Sequence, residues 1–251
     1  MIQSRIEFIE KTHGIKCPEP TEFVDKKIPI NKLIDHTQLG QDATSAQILQ
    51  LTQEAISNDF RAVCVNPCYG EMALSQLKSS SVLTCCVIGF PLGAPITAQK
   101  VHEAQILTKL GVQEIDMVIN CSFMKDGRYK EVFAEIQQIA SACHSNKAIL
   151  KVIIEATCLI ERELIIDACL LSAAAGADFV KTSTGMHKNG GANVEDVKLM
   201  RDTVGGRCGV KAAGGVRDLQ SVKQMVEAGA DRIGTSGGVK IVAGQVHDVG
   251  Y

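Results

Sequence analysis

DFVKTSTG, residues 178–185, and its downstream counterpart GVKAAGGVR, residues 209–217, each read as a short apolar strand that carries one lysine and then runs into small residues and glycine. A strand closed in by apolar neighbours is a poor place for an ammonium group. Desolvation disfavours the charged form and a second cation nearby disfavours it further, so the pKa of at least one of Lys181 and Lys211 is expected to fall. An amine in that condition attacks carbonyl carbon near neutral pH and forms a Schiff base.

Outward from this pair the same unit repeats. From residue 31 the chain alternates a short apolar run, a polar turn and an amphipathic stretch. Eight runs read as strands: LIDHT (33–37), AVCVN (62–66), LTCCVIGF (83–90), EIDMVIN (114–120), ILKVIIE (149–155), FVKTS (179–183), CGVKAA (208–213) and RIGTS (232–236). Between them lie helical stretches such as 45–57, 96–111 and 162–176. Several units close alike, with LGVQEID at 110–116, AGADFV at 175–180 and AGADRI at 228–233. The glycine past each helix end suits a left-handed cap. Strands alternating with helices at this length point to βα units and a parallel sheet. Eight units, 251 residues and no GxGxxG near the start favour a single closed (βα)8 TIM barrel over a dinucleotide-binding sheet. Residues 31–251 are thus expected to form the barrel domain with a short C-terminal tail. Residues 1–30 read as an N-terminal extension, helical over 2–12 and broken by the prolines of CPEP, and expected to cover one end of the barrel.

Composition narrows the function. Hydrophobic residues make up 45% and charged residues 22%, the balance of a soluble globular protein, and the net charge of −2 gives no basic surplus for nucleic acid or an anionic membrane. Aromatics at 4% and the lack of tryptophan weaken any base-stacking role. No apolar run reaches transmembrane length, and the charged first residues do not read as a secretory signal, so a cytoplasmic protein is expected. The ten cysteines are scattered, mostly in apolar segments, with no CxxC. The pattern argues against a disulfide framework or a structural metal site.

Covered parallel strands should be almost purely apolar. Five residues break that rule: Asp35, Asp116, Lys151, Lys181 and Lys211. Any one alone reads equally well as a strand end in water or a structural ion pair. Together they are expected to lie toward the later parts of their strands, where barrels carry their active sites. Lys181, followed by Thr182, Ser183, Thr184 and Gly185, ranks first as nucleophile, Lys211 second, and Lys151 is an auxiliary. Three glycine-rich turns follow the last three strands: Gly185, then Gly214-Gly215-Val216-Arg217, then Gly234-Thr235-Ser236-Gly237-Gly238. Barrels often hold phosphate with the loops after strands 7 and 8 and a short extra helix, here GGVKIVAG at 237–244.

In order along the chain, LIDHTQL, AVCVNP, GFPLG, EIDMVIN, KVIIE, DFVKTSTG, GVKAAGGVR and RIGTS resemble the deoxyribose-phosphate aldolase family, over roughly residues 30–240. The resemblance implies a class I aldolase on a (βα)8 barrel that interconverts 2-deoxy-D-ribose 5-phosphate with D-glyceraldehyde 3-phosphate and acetaldehyde. It implies that Lys181 forms the Schiff base while Lys211 and Asp116 shuttle protons. Asp35 and Cys64 would line the substrate pocket, and Gly185, Gly214, Gly215, Gly234 and Ser236 would hold the phosphate, with Thr184, Val216 and Gly237 beside them. No metal or cofactor is implied, and homo-oligomers of two or more chains are common among relatives. Gly237 stands where some relatives have a second serine, and the terminal Tyr251 suggests a mobile proton-transfer group. Two rival readings remain: another Schiff-base phosphosugar aldolase or transaldolase, and a catalytically silent phosphosugar-binding protein. Of the six histidines, His36 adjoins Asp35, and the other five, His247 among them, read as surface residues.

Overall fold

In the computed structural model, residues 1–18, 21–23 and 27–247 are described. The strands are β1 (Ile34–Gln38), β2 (Ala62–Val65), β3 (Leu83–Ile88), β4 (Glu114–Val118), β5 (Ile149–Ile153), β6 (Phe179–Lys181), β7 (Gly209–Ala213) and β8 (Arg232–Thr235). Each pairs in parallel with the next, and β8 returns to β1, closing an eight-stranded barrel. The helices are α1 (Ile2–His13), α2 (Ser45–Ser57), α3 (Gly70–Leu77), α4 (Thr97–Leu110), α5 (Cys121–Lys125), α6 (Tyr129–His144), α7 (Ala156–Leu159), α8 (Arg162–Ala174), α9 (Val194–Val204), α10 (Leu219–Glu227) and α11 (Gly238–Val242). The fold is the (βα)8 TIM barrel that the strand–helix rhythm predicts.

Strand periodicity of two sorts the side chains. Outward residues such as Val63, Ile88, Ile115, Met117, Val152, Val180, Val210 and Ile233 are buried under the helices and form the main core. The inner positions differ from the branched apolar layers usual in such barrels. They carry Asp35, Glu114, Asp116, Lys151, Lys181, Lys211 and Arg232, all buried, with a small apolar cluster of Leu39, Cys64, Cys85 and Val87 beside them. The barrel is held from outside, which leaves its interior available for chemistry.

Helices follow local signals. Thr44 and Gln47 make a reciprocal capping box at the start of α2, and Asp218 with Ser221 does the same for α10. Gly111, at φ 103°, ends α4 in the left-handed conformation.

The first helix does not cover a barrel end. α1 lies on the flank, burying Ile6 and Ile9, with Arg5 paired to Asp167 of α8 and His13 stacked on Tyr129 of α6 at 4.7 Å between centroids. Residues 21–23 lie instead at the end formed by the strand N-termini. There Thr21 bridges Gly205, and the Arg201 guanidinium sits 4.1 Å over the Phe23 ring. A helix with apolar residues on one face needs only one neighbouring groove, and the α6–α8 groove supplies it.

Candidate active site

Register brings the two lysines together: Lys181 and Lys211 are direct partners on β6 and β7, and Asp116 and Lys151 are partners on β4 and β5. Asp116 is the hub. Its Oδ2 accepts from Lys181 Nζ and from Lys211 Nζ, each at 2.8 Å. Its Oδ1 accepts from Lys151 Nζ at 2.8 Å and from Cys85 Sγ at 3.2 Å. Lys211 also donates to Asp35 Oδ2 at 2.5 Å, and Asp35 Oδ1 accepts from Arg232 at 2.7 Å. Glu114 closes the network, paired with Lys151 at 2.7 Å and Arg232 at 2.9 Å.

Four cations therefore face three carboxylates inside the barrel. Lys151 and Lys211 each reach more than one carboxylate, whereas Lys181 meets a single oxygen that it shares with Lys211. Burial alone would raise the Asp116 carboxyl, but Lys151, Lys181 and Lys211 outweigh it and hold it well below the carboxylate range. Asp35 is likewise depressed: burial raises it, but Arg232, Lys211 and Lys151 together outweigh burial. Of the lysine pair, Lys211 departs from the expected fall. Burial lowers its pKa, yet Asp116 and Asp35 more than restore it, and the net shift is upward. Lys151 rises for the same reason. Desolvation was the right force, but the carboxylates beside these lysines exceed it.

The position of the charges along the strands also differs from expectation. Only Lys181 ends its strand; Asp35 is the second residue of β1, and Asp116, Lys151 and Lys211 lie mid-strand. The strands are three to six residues long, so a mid-strand side chain still reaches the centre of the barrel mouth.

Cys64 is buried inside the barrel as the register partner of Cys85. Sulfur and oxygen atoms of Cys64, Cys85 and Asp116 lie within 4.8 Å of one another, a metal-ligand type of grouping. Both Asp116 oxygens already accept from lysines, and Lys151 Nζ lies 3.3 Å from Cys85 Sγ. A dication would meet an excess of positive charge there, so the residues do not fit one.

The glycine turns form a second compartment at the same end. A cavity of about 190 Å³ is lined by Gly185, Gly190, Gly191, Gly214, Gly215, Val216, Arg217, Gly234, Thr235, Ser236 and His247. Gly214, at φ 85°, is held so close that an added Cβ would stand 2.8 Å from the Gly185 Cα. Only glycine allows backbones to approach a ligand this way. Two of the expected cradle residues sit outside this wall. Thr184 turns away, its hydroxyl donating to Glu155 Oε2 at 2.5 Å, and Gly237 is buried behind His247. Tyr251 lies outside the described residues. A larger cavity, about 870 Å³, opens at the opposite end among Phe179, Gly209 and Arg232. These residues begin β6, β7 and β8, and none of the three lysines reaches it.

Sequence reading overlooked several members of the site. Glu114 and Arg232 begin their strands on the same inner face as Asp116 and Gly234, and period-two alternation would have revealed both. Gly190-Gly191 follow the KTSTG turn and reach the cradle only through a loop. Glu155 takes a left-handed backbone, φ 49° and ψ 61°, just past β5. Its carboxylate accepts from the Thr184 N–H as well as the hydroxyl, which clamps the turn after Lys181. His247 gave no pattern at all.

The chain matches the model of the DeoC/LacD family aldolases over residues 30–244. It is 53% identical to a deoxyribose-phosphate aldolase of Staphylococcus epidermidis over 88% of this chain and 98% of that one. A deoxyribose-phosphate aldolase of Mannheimia succiniciproducens is 49% identical over 88% of this chain and 97% of its own. Among solved structures, the tetrameric deoxyribose phosphate aldolase of Aeropyrum pernix superposes with a TM-score of 0.80 at 34% identity, covering 85% of this chain and 89% of that one. With a buried lysine pair on one carboxylate, a glycine cradle beside it and this match across the whole barrel, the chain belongs to the DeoC/LacD aldolase family.

Proposed function

We propose that this protein is a class I aldolase that reversibly cleaves 2-deoxy-D-ribose 5-phosphate into D-glyceraldehyde 3-phosphate and acetaldehyde. The observation that carries the reading is the pairing of Lys181 and Lys211 on one Asp116 oxygen, within the same barrel mouth as the glycine cradle. Lys181 is the nucleophile. It ends its strand at the mouth and has the fewest carboxylate contacts of the three lysines. Loss of its proton leaves three cations against three carboxylates, a balanced interior.

The neutral amine adds to the C1 aldehyde of the open-chain sugar, and loss of water gives the protonated imine. A base takes the proton of the C3 hydroxyl, the C2–C3 bond breaks, and its electron pair moves into the imine to give an enamine. Glyceraldehyde 3-phosphate leaves. Protonation of the enamine carbon restores an imine, and water releases acetaldehyde and Lys181. Lys211, held protonated by Asp35 and Asp116, serves as the proton donor, and Asp116 relays between the two lysines. The cradle holds the phosphate, so the sugar carbonyl meets the amine in one orientation. Leu39, Cys64, Cys85 and Val87 offer the two-carbon fragment an apolar wall.

The chain is further read as cytoplasmic and as a homo-oligomer of two or more copies. No helix among the described residues is long and apolar enough to cross a membrane, and the Aeropyrum pernix neighbour is tetrameric. Incubation with acetaldehyde, borohydride reduction and peptide mass spectrometry test the mechanism. A single ethyl group on Lys181 is the expected result. An adduct on Lys211 or Lys151 would keep the aldolase class and reverse the roles. Phosphosugar binding without any adduct would favour a silent binding protein.

A further inference from the structure

The C-terminal tail returns to the cradle. After α11 the chain runs through exposed residues until His247, whose backbone N–H donates to the Arg217 carbonyl at 2.9 Å. The same residue shares a hydrogen bond of 3.1 Å between its Nε2 and Ser236 Oγ. Both contacts lie on the wall of the 190 Å³ cavity, which includes Arg217, Ser236 and His247. The ring has its place because position 237 lacks a side chain. A Cβ on Gly237 would stand 2.5 Å from the His247 Cβ and 2.6 Å from its Cγ. Glycine at 237 and histidine at 247 are therefore one arrangement: the first vacates the space and the second fills it with a hydrogen-bonding ring.

We propose that His247 is a specificity-determining residue of this site, positioning Ser236 to select phosphorylated substrates. The inference rests on the aldolase reading and names a further determinant of its substrate. The chemistry follows from the shared hydrogen bond. A ring with its proton on Nε2 donates to Ser236 Oγ, and the serine's own O–H is then free to point into the cavity. A phosphate oxygen there accepts from the Ser236 hydroxyl, which the His247 Nε2–H holds in that orientation. Glycine N–H groups supply the rest of the shell, and the exposed Arg217 adds charge at the rim. Hydrogen bonds to a charged acceptor are about twice as strong as neutral ones, so the effect should be readable in affinity.

The test compares 2-deoxyribose 5-phosphate with unphosphorylated 2-deoxyribose. For His247→Ala, KM for the phosphate ester is expected to rise about tenfold, a larger loss of kcat/KM than the same substitution causes on free deoxyribose. His247→Gln, whose side-chain amide can donate from nearly the same place, should recover most of the loss. Gly237→Ser should weaken phosphate recognition in the native background, where it collides with the ring. In the His247→Ala background it should cost nothing or restore affinity, because the serine then enters the vacated space. That reversal of sign is what two directly interacting positions produce. Equal losses on both substrates, no loss, or a lower KM in His247→Ala would overturn the proposal. Calorimetric titration with inorganic phosphate keeps the two readings apart. If the native protein binds phosphate yet cleaves nothing, the aldolase reading fails, and weaker phosphate binding by His247→Ala still decides the role of the histidine.

Discussion

Two buried lysine clusters in this barrel have opposite fates. Lys100, on α4, is fully buried and donates to Glu135 of α6 at 2.8 Å and to the Val118 carbonyl at 2.9 Å. Burial lowers its pKa, with Glu135 opposing. In the barrel centre, Lys151 and Lys211 are just as buried, yet their carboxylate neighbours drive their pKa values up. Judged by a depressed pKa alone, Lys100 would be the reactive amine. Its position says otherwise: it ties α4 to α6 and to the end of β4, as the one cation among the described residues paired with Glu135, and has no solvent contact. The central lysines share carboxylates, and Lys181 stands at the mouth with one shared contact. In the proposed mechanism reactivity comes from incomplete pairing at an open end, and burial by itself yields a structural tie.

The sharpest way to break this contrast is to remove one lysine from each cluster. Lys181→Met should lower kcat/KM by about 10⁴-fold or more, as loss of a covalent nucleophile does, while leaving the fold intact by circular dichroism. Lys100→Met should keep turnover within a few fold and instead lower stability by about 3–5 kcal/mol in urea, because Glu135 is left buried without its cation. Removing both partners in Lys100→Met/Glu135→Leu should restore most of that stability. Appreciable activity in Lys181→Met, or a collapse of turnover in folded Lys100→Met, would undo the assignment.

Within the centre, Lys211→Met should reduce kcat by about 10²- to 10⁴-fold, the range for loss of a general acid. The borohydride-trapped adduct should still form on Lys181, only more slowly. If no adduct forms, Lys211 is needed for imine formation itself. A smaller effect belongs to the clamp on the KTSTG turn. Glu155→Ala removes the acceptor of the Thr184 N–H and hydroxyl. It should raise KM for the phosphorylated sugar by roughly 5-fold, the scale of one lost hydrogen bond, and leave the position of the adduct unchanged.

What could be read in the sequence follows this same division. The eight strands were legible because a strand covered on both sides is a short apolar run, and inward charges such as Asp116 and Lys211 stand out against it. The match is close at β2, where AVCVN at 62–66 becomes Ala62–Val65, and at α2, found at 45–57 as read. Depth along the strand was not legible, since shear sets which residues share a level and no local pattern encodes it. Lys100 was invisible for a related reason. TAQKVHEAQ reads as an ordinary exposed helix surface, and only the packing of α4 against α6 and the ends of β3 and β4 buries its lysine. The cradle was legible in Gly185, Gly214, Gly215 and Gly234 but not in Gly190, Gly191 or His247, which reach it through loops and a returning tail. The expected fall in the lysine pKa failed at Lys211 because the sequence names the neighbours of a residue only along the chain, and Asp35 and Asp116 are neighbours across the barrel.

The smallest expected effect separates the two clusters by the sign of a slope. For Lys211 and Lys151 the folded pKa exceeds the unfolded value of about 10.4. The stability they add is complete below that value and is lost as pH rises above it, where the folded state holds more protons. Lys100 is the reverse. Its folded pKa is lowered, so between the folded and unfolded values the unfolded chain holds more protons and stability rises with pH. The depressed carboxyls of Asp35 and Asp116 contribute fully above about pH 4 and lose their effect as pH falls through their folded values. The native protein should therefore show a broad plateau of stability from about pH 4 to pH 10 and a fall beyond it. Other groups, including buried thiols, also titrate at the alkaline edge, so the decisive quantity is the difference between native protein and Lys100→Met across pH 8–11. Chemical denaturation at each pH should show that difference growing with pH, by at most about 1.4 kcal/mol per unit for one proton. A flat difference would mean that Glu135 compensates Lys100 fully, and the two clusters would then differ in place alone.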